Sequence, residues 1–235
     1  GPEAYQLCLV DATGDGVLDL LTTGGTTVAV PAGHGEGSFD PPALGPVANS
    51  IVAARLAPFG GDALPDLAVL LREPPSYYSH YVDFLINDGS GHFTDVGNTL
   101  VAPPETDTYD FEAADLDHDQ DTDLIVKWND GHIRLFLNEP TGFVDGELLQ
   151  VSGDLIGAED YDFDGDVHVA DARQGAFELL SGDGAGGIAS AKSYPTPGLE
   201  PNKLTNVDLD GDGLLDRLVG GWLSYGGNEE RWVGL

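Results

Sequence analysis

The chain has 235 residues, of which 9 are basic and 41 acidic, for a formal net charge of −32. That balance excludes nucleic acid as a partner, because neutralising phosphates needs Lys and Arg. The length supports a sizeable core, and Cys8, the one cysteine, excludes an intramolecular disulfide.

Gly1-Pro2 reads as a tag-cleavage scar, so a single domain is expected over residues 3–235. The first repeat (about 4–49) opens with an apolar strand, Ala4–Val10. An acidic loop follows, Asp11-Ala-Thr-Gly-Asp-Gly-Val-Leu-Asp19. A turn at 22–26, a β-prone run Thr27–Val30 and a glycine-rich turn Gly33–Phe39 complete it.

The second repeat (about 50–106) carries Pro58-Phe-Gly-Gly-Asp-Ala-Leu-Pro-Asp66, a long Arg72–Tyr81 connection, strand Val82–Leu85 and turn Asn87–Phe93. The third (about 107–152) has strand Tyr109–Ala114 and Asp115-Leu-Asp-His-Asp-Gln-Asp-Thr-Asp123. Strands 124–128 and 133–136 and turn Asn138–Phe143 follow. The fourth (about 153–199) has Asp160-Tyr-Asp-Phe-Asp-Gly-Asp-Val-His168, strand Phe177–Leu180 and turn Ser181–Ile188. The fifth (about 200–235) has Asp208-Leu-Asp-Gly-Asp-Gly-Leu-Leu-Asp216, turn Tyr225–Trp232 and a last strand near 230–235.

The loops begin at 11, 58, 115, 160 and 208, so the steps are 47, 57, 45 and 48 residues. A period of that size with four short strands per unit predicts an all-β, antiparallel β-propeller of five four-stranded blades. The acidic loop joins strands A and B of each blade. No segment predicts a long amphipathic helix or a transmembrane run.

The loop chemistry points to calcium, which takes six to eight oxygen ligands. The fifth loop offers Asp208, Asp210, Asp212, the Leu214 carbonyl and Asp216. The third offers Asp115, Asp117, Asp119, Asp121 and Asp123. The first offers Asp11, Thr13, Asp15, the Val17 carbonyl and Asp19, with Thr13 a neutral ligand. The fourth offers Asp160, Asp162, Asp164 and Asp166 but ends in His168, whose nitrogen is a poor calcium ligand. The second keeps only Asp62 and Asp66, so metal loss is expected there. Three to four ions are expected, cancelling 3 × 2 = 6 to 4 × 2 = 8 of the negative charges. An EF-hand is excluded, because it needs a Glu at position 12, where Thr22, Val126 and Val219 stand.

The ordered loop, following Leu and later glycine-rich turn resemble the FG-GAP/VCBS repeat family, which includes the integrin α-subunit propeller. The resemblance covers residues 4–235. It implies that calcium pins strands A and B together through the acidic residues named above. Pro58, Gly60, Thr13 and His168 depart from the pattern. Family propellers often have seven blades, against the five expected here.

In an antiparallel blade the A–B and C–D connections share one end. The B–C connections then form the other, where Tyr77, Tyr78, His80, Tyr81, Trp128 and Trp222 are candidate ligand-binding residues. Tyr and Trp present flat apolar faces with a polar handle, suited to sugars and to proteins. The plainer reading is that these rings pack between blades. The first expectation is an extracellular or cell-surface, calcium-stabilised, lectin-like module that binds carbohydrate. The alternative is a module that binds an extracellular protein in adhesion. A polysaccharide-active enzyme ranks third, since no nucleophile elbow, phosphate loop or zinc set is present. Insertion into a membrane is not expected.

Overall fold

A computed structural model describes residues 6–41, 44–47, 49–60, 62, 64–72, 80–97, 100–101, 108–151, 153, 155–160, 164–173, 175–196, 199–207, 209, 211, 216–225 and 228–234. Twenty β-strands and no helix occur among them. They form five antiparallel sheets in chain order. Residues 1–108 and 109–235 make two compact units.

In the first unit, β1 (Gln6–Val10), β2 (Asp19–Gly24), β3 (Thr27–Ala29) and β4 (Leu44–Pro46) pair in sequence order. The second sheet runs β5 (Ser50–Ala57), β6 (Asp66–Arg72), β7 (His80–Asn87) and β8 (Phe93–Asp95), with β9 (Leu100–Val101) also pairing to β7. Leu21, Val28, Ile51, Leu67, Val69 and Leu85 meet in one core that joins the two sheets. Six consecutive residues of β6, Asp66–Leu71, are buried. Runs of this kind mark a strand covered on both faces rather than one that alternates.

In the second unit, one sheet holds β10 (Thr108–Ala114), β11 (Asp123–Trp128), β12 (His132–Glu139) and β13 (Gly142–Gln150). The next holds β14 (Leu155–Glu159), β15 (His168–Arg173), β16 (Gly175–Gly182) and β17 (Ile188–Thr196). Ile125, Ile133, Leu135, Val151, Val169 and Leu180 join them. All of β11 is buried, whereas β13 and β17 are mostly exposed. In these two sheets the last strand is thus the most exposed among the described residues. Truncating a fully buried Ile133 or Leu135 removes about 2–5 kcal/mol.

The fifth sheet corrects the expected strand layout. It contains β18 (Leu199–Val207), β19 (Asp216–Tyr225) and β20 (Asn228–Gly234) in that order. β19 runs to Tyr225 and pairs directly with β20 through Tyr225↔Asn228. The residues read as a turn before a fourth strand therefore belong to the B–C hairpin. Among the described residues this sheet has three strands.

Candidate metal loops and their clasps

Each acidic loop sits between the first and second strands of its sheet, as β1–β2 and β10–β11 illustrate. The ninth loop residue begins the second strand, and in the first four loops it is buried. Asp19 Oδ2 accepts N–H groups from Ala12 (2.9 Å) and Thr13 (3.1 Å), and Oδ1 accepts from Gly33 (2.8 Å). Asp66 Oδ2 accepts from Phe59 (2.8 Å) and Gly60, and Oδ1 from Asn87 (2.8 Å). Asp123 Oδ2 accepts from Leu116 (2.7 Å) and Oδ1 from Asn138 (2.8 Å). One carboxylate thus ties the start of its own loop to the first residue of the glycine-rich turn. Buried backbone donors need such partners. This clasp is the feature that sequence reasoning missed, although both of its ends recur at matched positions.

The remaining loop carboxylates hold turns. Asp11 accepts from Asp15 and Gly16, and Asp15 from Val17. Asp115 accepts from His118 and Gln120, and Asp119 from Asp121. Gly14 and Gly16 in the first loop have φ near +71° and +84°. In the third loop His118 and Gln120 adopt φ of 66° and 75° at the same two positions. Non-glycine residues resist that conformation by roughly 1–2 kcal/mol each.

Three oxygen donors converge in the third loop. Ligand atoms of Asp115, Asp117 and Asp123 lie within 4.8 Å of one another. Burial pushes the Asp123 carboxyl up to about 6, helped by the charges of Asp117 and Asp119 and opposed by its two N–H donors. Burial also raises Asp117, with Asp119 and Asp115 adding to it. A cation relieves both causes, so these residues fit calcium. In the first loop the hydroxyl oxygen of Thr13 is buried without a hydrogen-bond partner among the described residues. That oxygen is the expected third-position ligand, which again fits a cation.

The fourth loop brings Asp160, Asp164 and His168 within the same 4.8 Å. The Asp166 carboxylate is turned to His118 Nε2 of the third loop, 3.4 Å away. Asp162, Asp208, Asp210, Asp212 and Leu214 lie outside the described residues. Asp216 begins β19 opposite Val207.

The described aromatic candidates stand in strands. Trp128 is the last residue of β11 and is buried, with the Arg134 guanidinium 5.9 Å from its ring centroid. His80 begins β7, is buried, and its Nε2 accepts from Arg72 Nε at 3.2 Å. Burial and then the Arg72 charge hold its pKa below the usual histidine value. Tyr81 is half-buried in β7, and its hydroxyl accepts from Asn49 Nδ2 at 2.7 Å. Trp222 sits inside β19 opposite Arg231 rather than in a loop. Longer strands than expected draw His80, Tyr81 and Trp222 into sheets, and Trp128 closes the expected strand. Tyr77 and Tyr78 lie outside the described residues.

Beside the first loop, Leu9, Gly16, Val17, Leu18, Ser38 and Phe39 line a cleft of about 370 Å³. Leu9 and Leu18 are 55% exposed and Phe39 is 37% exposed.

Residues 61–126 match the family model described as the FG-GAP-like repeat. The matched stretch runs from the second acidic loop through β6–β10 and the third loop into β11. No curated protein matches the chain by sequence.

Among solved structures, the chain is similar to BBS1N in its complex with ARL6DN, soaked with mercury. Identity is 16%, TM-score 0.60, and coverage is 97% of this chain and 64% of that one. The lead-soaked form of that complex matches at 15% identity and TM-score 0.59, covering 95% and 78%. A Photorhabdus luminescens Tc holotoxin pore with mutation TccC3-D651A matches at 18% identity and TM-score 0.54, covering 97% of this chain and 11% of that one. The chain therefore spans less than two thirds of the first of these structures. The shared property at such identity is an all-β, propeller-like fold.

Proposed function

We propose that this protein is an extracellular, calcium-stabilised β-propeller module that binds another macromolecule and performs no chemistry. Its five sheets are read as blades over residues 3–235, and three to four of its acidic loops as metal sites. The partner class is a protein. The observation that carries this reading is the cleft of Leu9, Leu18 and Phe39 beside the first acidic loop. Exposed apolar clefts rimmed by polar groups are typical contact surfaces. Gly16, Val17 and Leu18 belong to the loop itself, so a bound cation would stiffen one wall of the cleft. A net charge of −32 favours a basic rim on the partner.

Carbohydrate is the second reading. With His80, Tyr81 and Trp128 packed into strands, it rests on Tyr77 and Tyr78, which fall between β6 and β7 in the sequence. Enzymatic action on a polysaccharide ranks third, because the described loop carboxylates are taken up by clasps and turns.

Paired arrays decide between the two binding readings. Extracellular-protein and glycan arrays are probed in millimolar calcium and again with chelator. The protein reading expects a hit that disappears with chelator and in the Leu18→Ser/Phe39→Ser variant. A glycan hit that survives that variant and vanishes in Tyr77→Ala/Tyr78→Ala overturns it in favour of carbohydrate.

A further inference from the structure

We infer that the fourth acidic loop is built for a transition-metal ion of the zinc class rather than for calcium. Asp160, Asp164 and the ring of His168 converge within 4.8 Å. His168 is only 3% exposed and stands where the third loop has Asp123. A nitrogen and two carboxylates suit zinc and its neighbours, whereas calcium takes oxygen alone.

Two further observations point the same way. First, His168 Nδ1 lies 2.9 Å from the Asp166 carbonyl oxygen. A carbonyl cannot donate, so Nδ1 carries the hydrogen and Nε2 is the nitrogen with the lone pair. Metal-binding histidines are commonly held this way, by an N–H to a backbone carbonyl. That carbonyl is also the seventh-position oxygen expected to serve calcium, so the ring engages a calcium ligand as well as replacing one. Second, Asp160 Oδ1 is buried away from solvent and has no hydrogen-bond partner among the described residues. Its other oxygen accepts from Gly165 N–H at 3.1 Å. A buried, unpartnered carboxylate oxygen is costly unless something positive meets it. The Asp166 carboxylate faces His118 Nε2 of the third loop, 3.4 Å away, rather than the Asp160–Asp164–His168 cluster.

The inference rests on reading these loops as metal loops, and its test separates the two ideas. Metal-stripped full-length protein is titrated with Co²⁺, followed by visible absorption, then challenged with Zn²⁺ or Ca²⁺. Calorimetric Ca²⁺ titrations run in parallel. The expected result is a Co²⁺ spectrum with nitrogen ligation, abolished by Zn²⁺ but not by an equal concentration of Ca²⁺. His168→Gln weakens Zn²⁺ by about tenfold or more and leaves the Ca²⁺ isotherm within about twofold. Asp117→Asn in the third loop does the reverse. An unchanged Co²⁺ spectrum in His168→Gln, or displacement by equimolar Ca²⁺, overturns the proposal. A missing Ca²⁺ isotherm alone removes the calcium reading and leaves this site standing. If His168→Gln does not fold, ¹¹³Cd NMR on the wild-type chain decides. A resonance in the mixed nitrogen–oxygen range supports the site, and only oxygen-range resonances sink it.

Discussion

Asp66 Oδ1 accepts the main-chain N–H of Asn87 at 2.8 Å, in the one repeat whose first and third loop positions are Pro58 and Gly60. The carboxylate persists where the first- and third-position ligands do not. The Asn87 side chain extends the same tie, donating to the Ala12 carbonyl in the first loop and to the Pro65 carbonyl. Holding the loop to the glycine-rich turn is therefore a job of the ninth residue that needs no cation.

Asp66→Ala leaves three N–H groups without their acceptor. At about 1–3 kcal/mol for a buried donor, the loss is on the order of 4 kcal/mol. Thermal melts should show a fall of about 10 °C at this chain length. Asp66→Asn keeps one oxygen and should lose roughly half as much. The loss should be the same in calcium and in chelator. A loss seen only in calcium would mean that Asp66 is a metal ligand after all.

Chelation of the wild-type protein should lower the melting temperature by several degrees. A ligand that binds only the folded chain adds RT ln(1 + [L]/Kd), about 2.7 kcal/mol at a hundredfold excess over Kd. Asp117→Asn neutralises one of the three converging carboxylates of the third loop and should shrink the calcium-dependent shift, while the melt in chelator stays level or rises because a buried, repelled charge is gone. An identical melt with and without calcium contradicts the metal reading of the loops.

The spacing of the acidic loops makes the sheets legible in the sequence, because every loop marks the join of a first and a second strand. The glycine-rich turns marked the far end of the third strand for the same reason. The clasp between Asp123 and Asn138 was not legible, since it links two markers through main-chain atoms that carry no residue signature. The strand position of Trp222 was not legible because strand ends depend on hairpin pairing, which residue type specifies weakly. Lys127 was hidden for another reason. Its charge argues for exposure, and only its partner on another strand explains a buried lysine.

The third loop should respond to pH in opposite directions with and without metal. Without metal, burial raises Asp123 from its ordinary 3.8 to about 6. The folded state then binds more protons than the unfolded one between those values, so stability falls as pH rises through that window. Asp117 is shifted the same way and adds to the slope. In chelator, the protein should lose on the order of 2 kcal/mol between about pH 4 and pH 6 from Asp123. Calcium must displace the same proton, so its affinity should strengthen across that window. Asp123→Asn, compared with wild type in chelator, should flatten the difference. A slope of unchanged size in that variant would place its origin elsewhere.

Lys127 Nζ and Asp171 Oδ1 are 3.0 Å apart, and both side chains are almost fully buried. The pair joins β11 to β15, the second strands of two successive sheets, and Asp171 Oδ2 also accepts the Gly153 N–H. Desolvation offsets most of the attraction within such a pair, but losing one partner strands the other charge. Lys127→Met should therefore cost about 3–5 kcal/mol, read as a loss of about 10 °C in the melt. Lys127→Met/Asp171→Asn removes both charges and keeps an acceptor for Gly153. Most of the lost stability should return. If the double variant melts no higher than the single one, packing of the lysine stem, and not the stranded carboxylate, sets the cost.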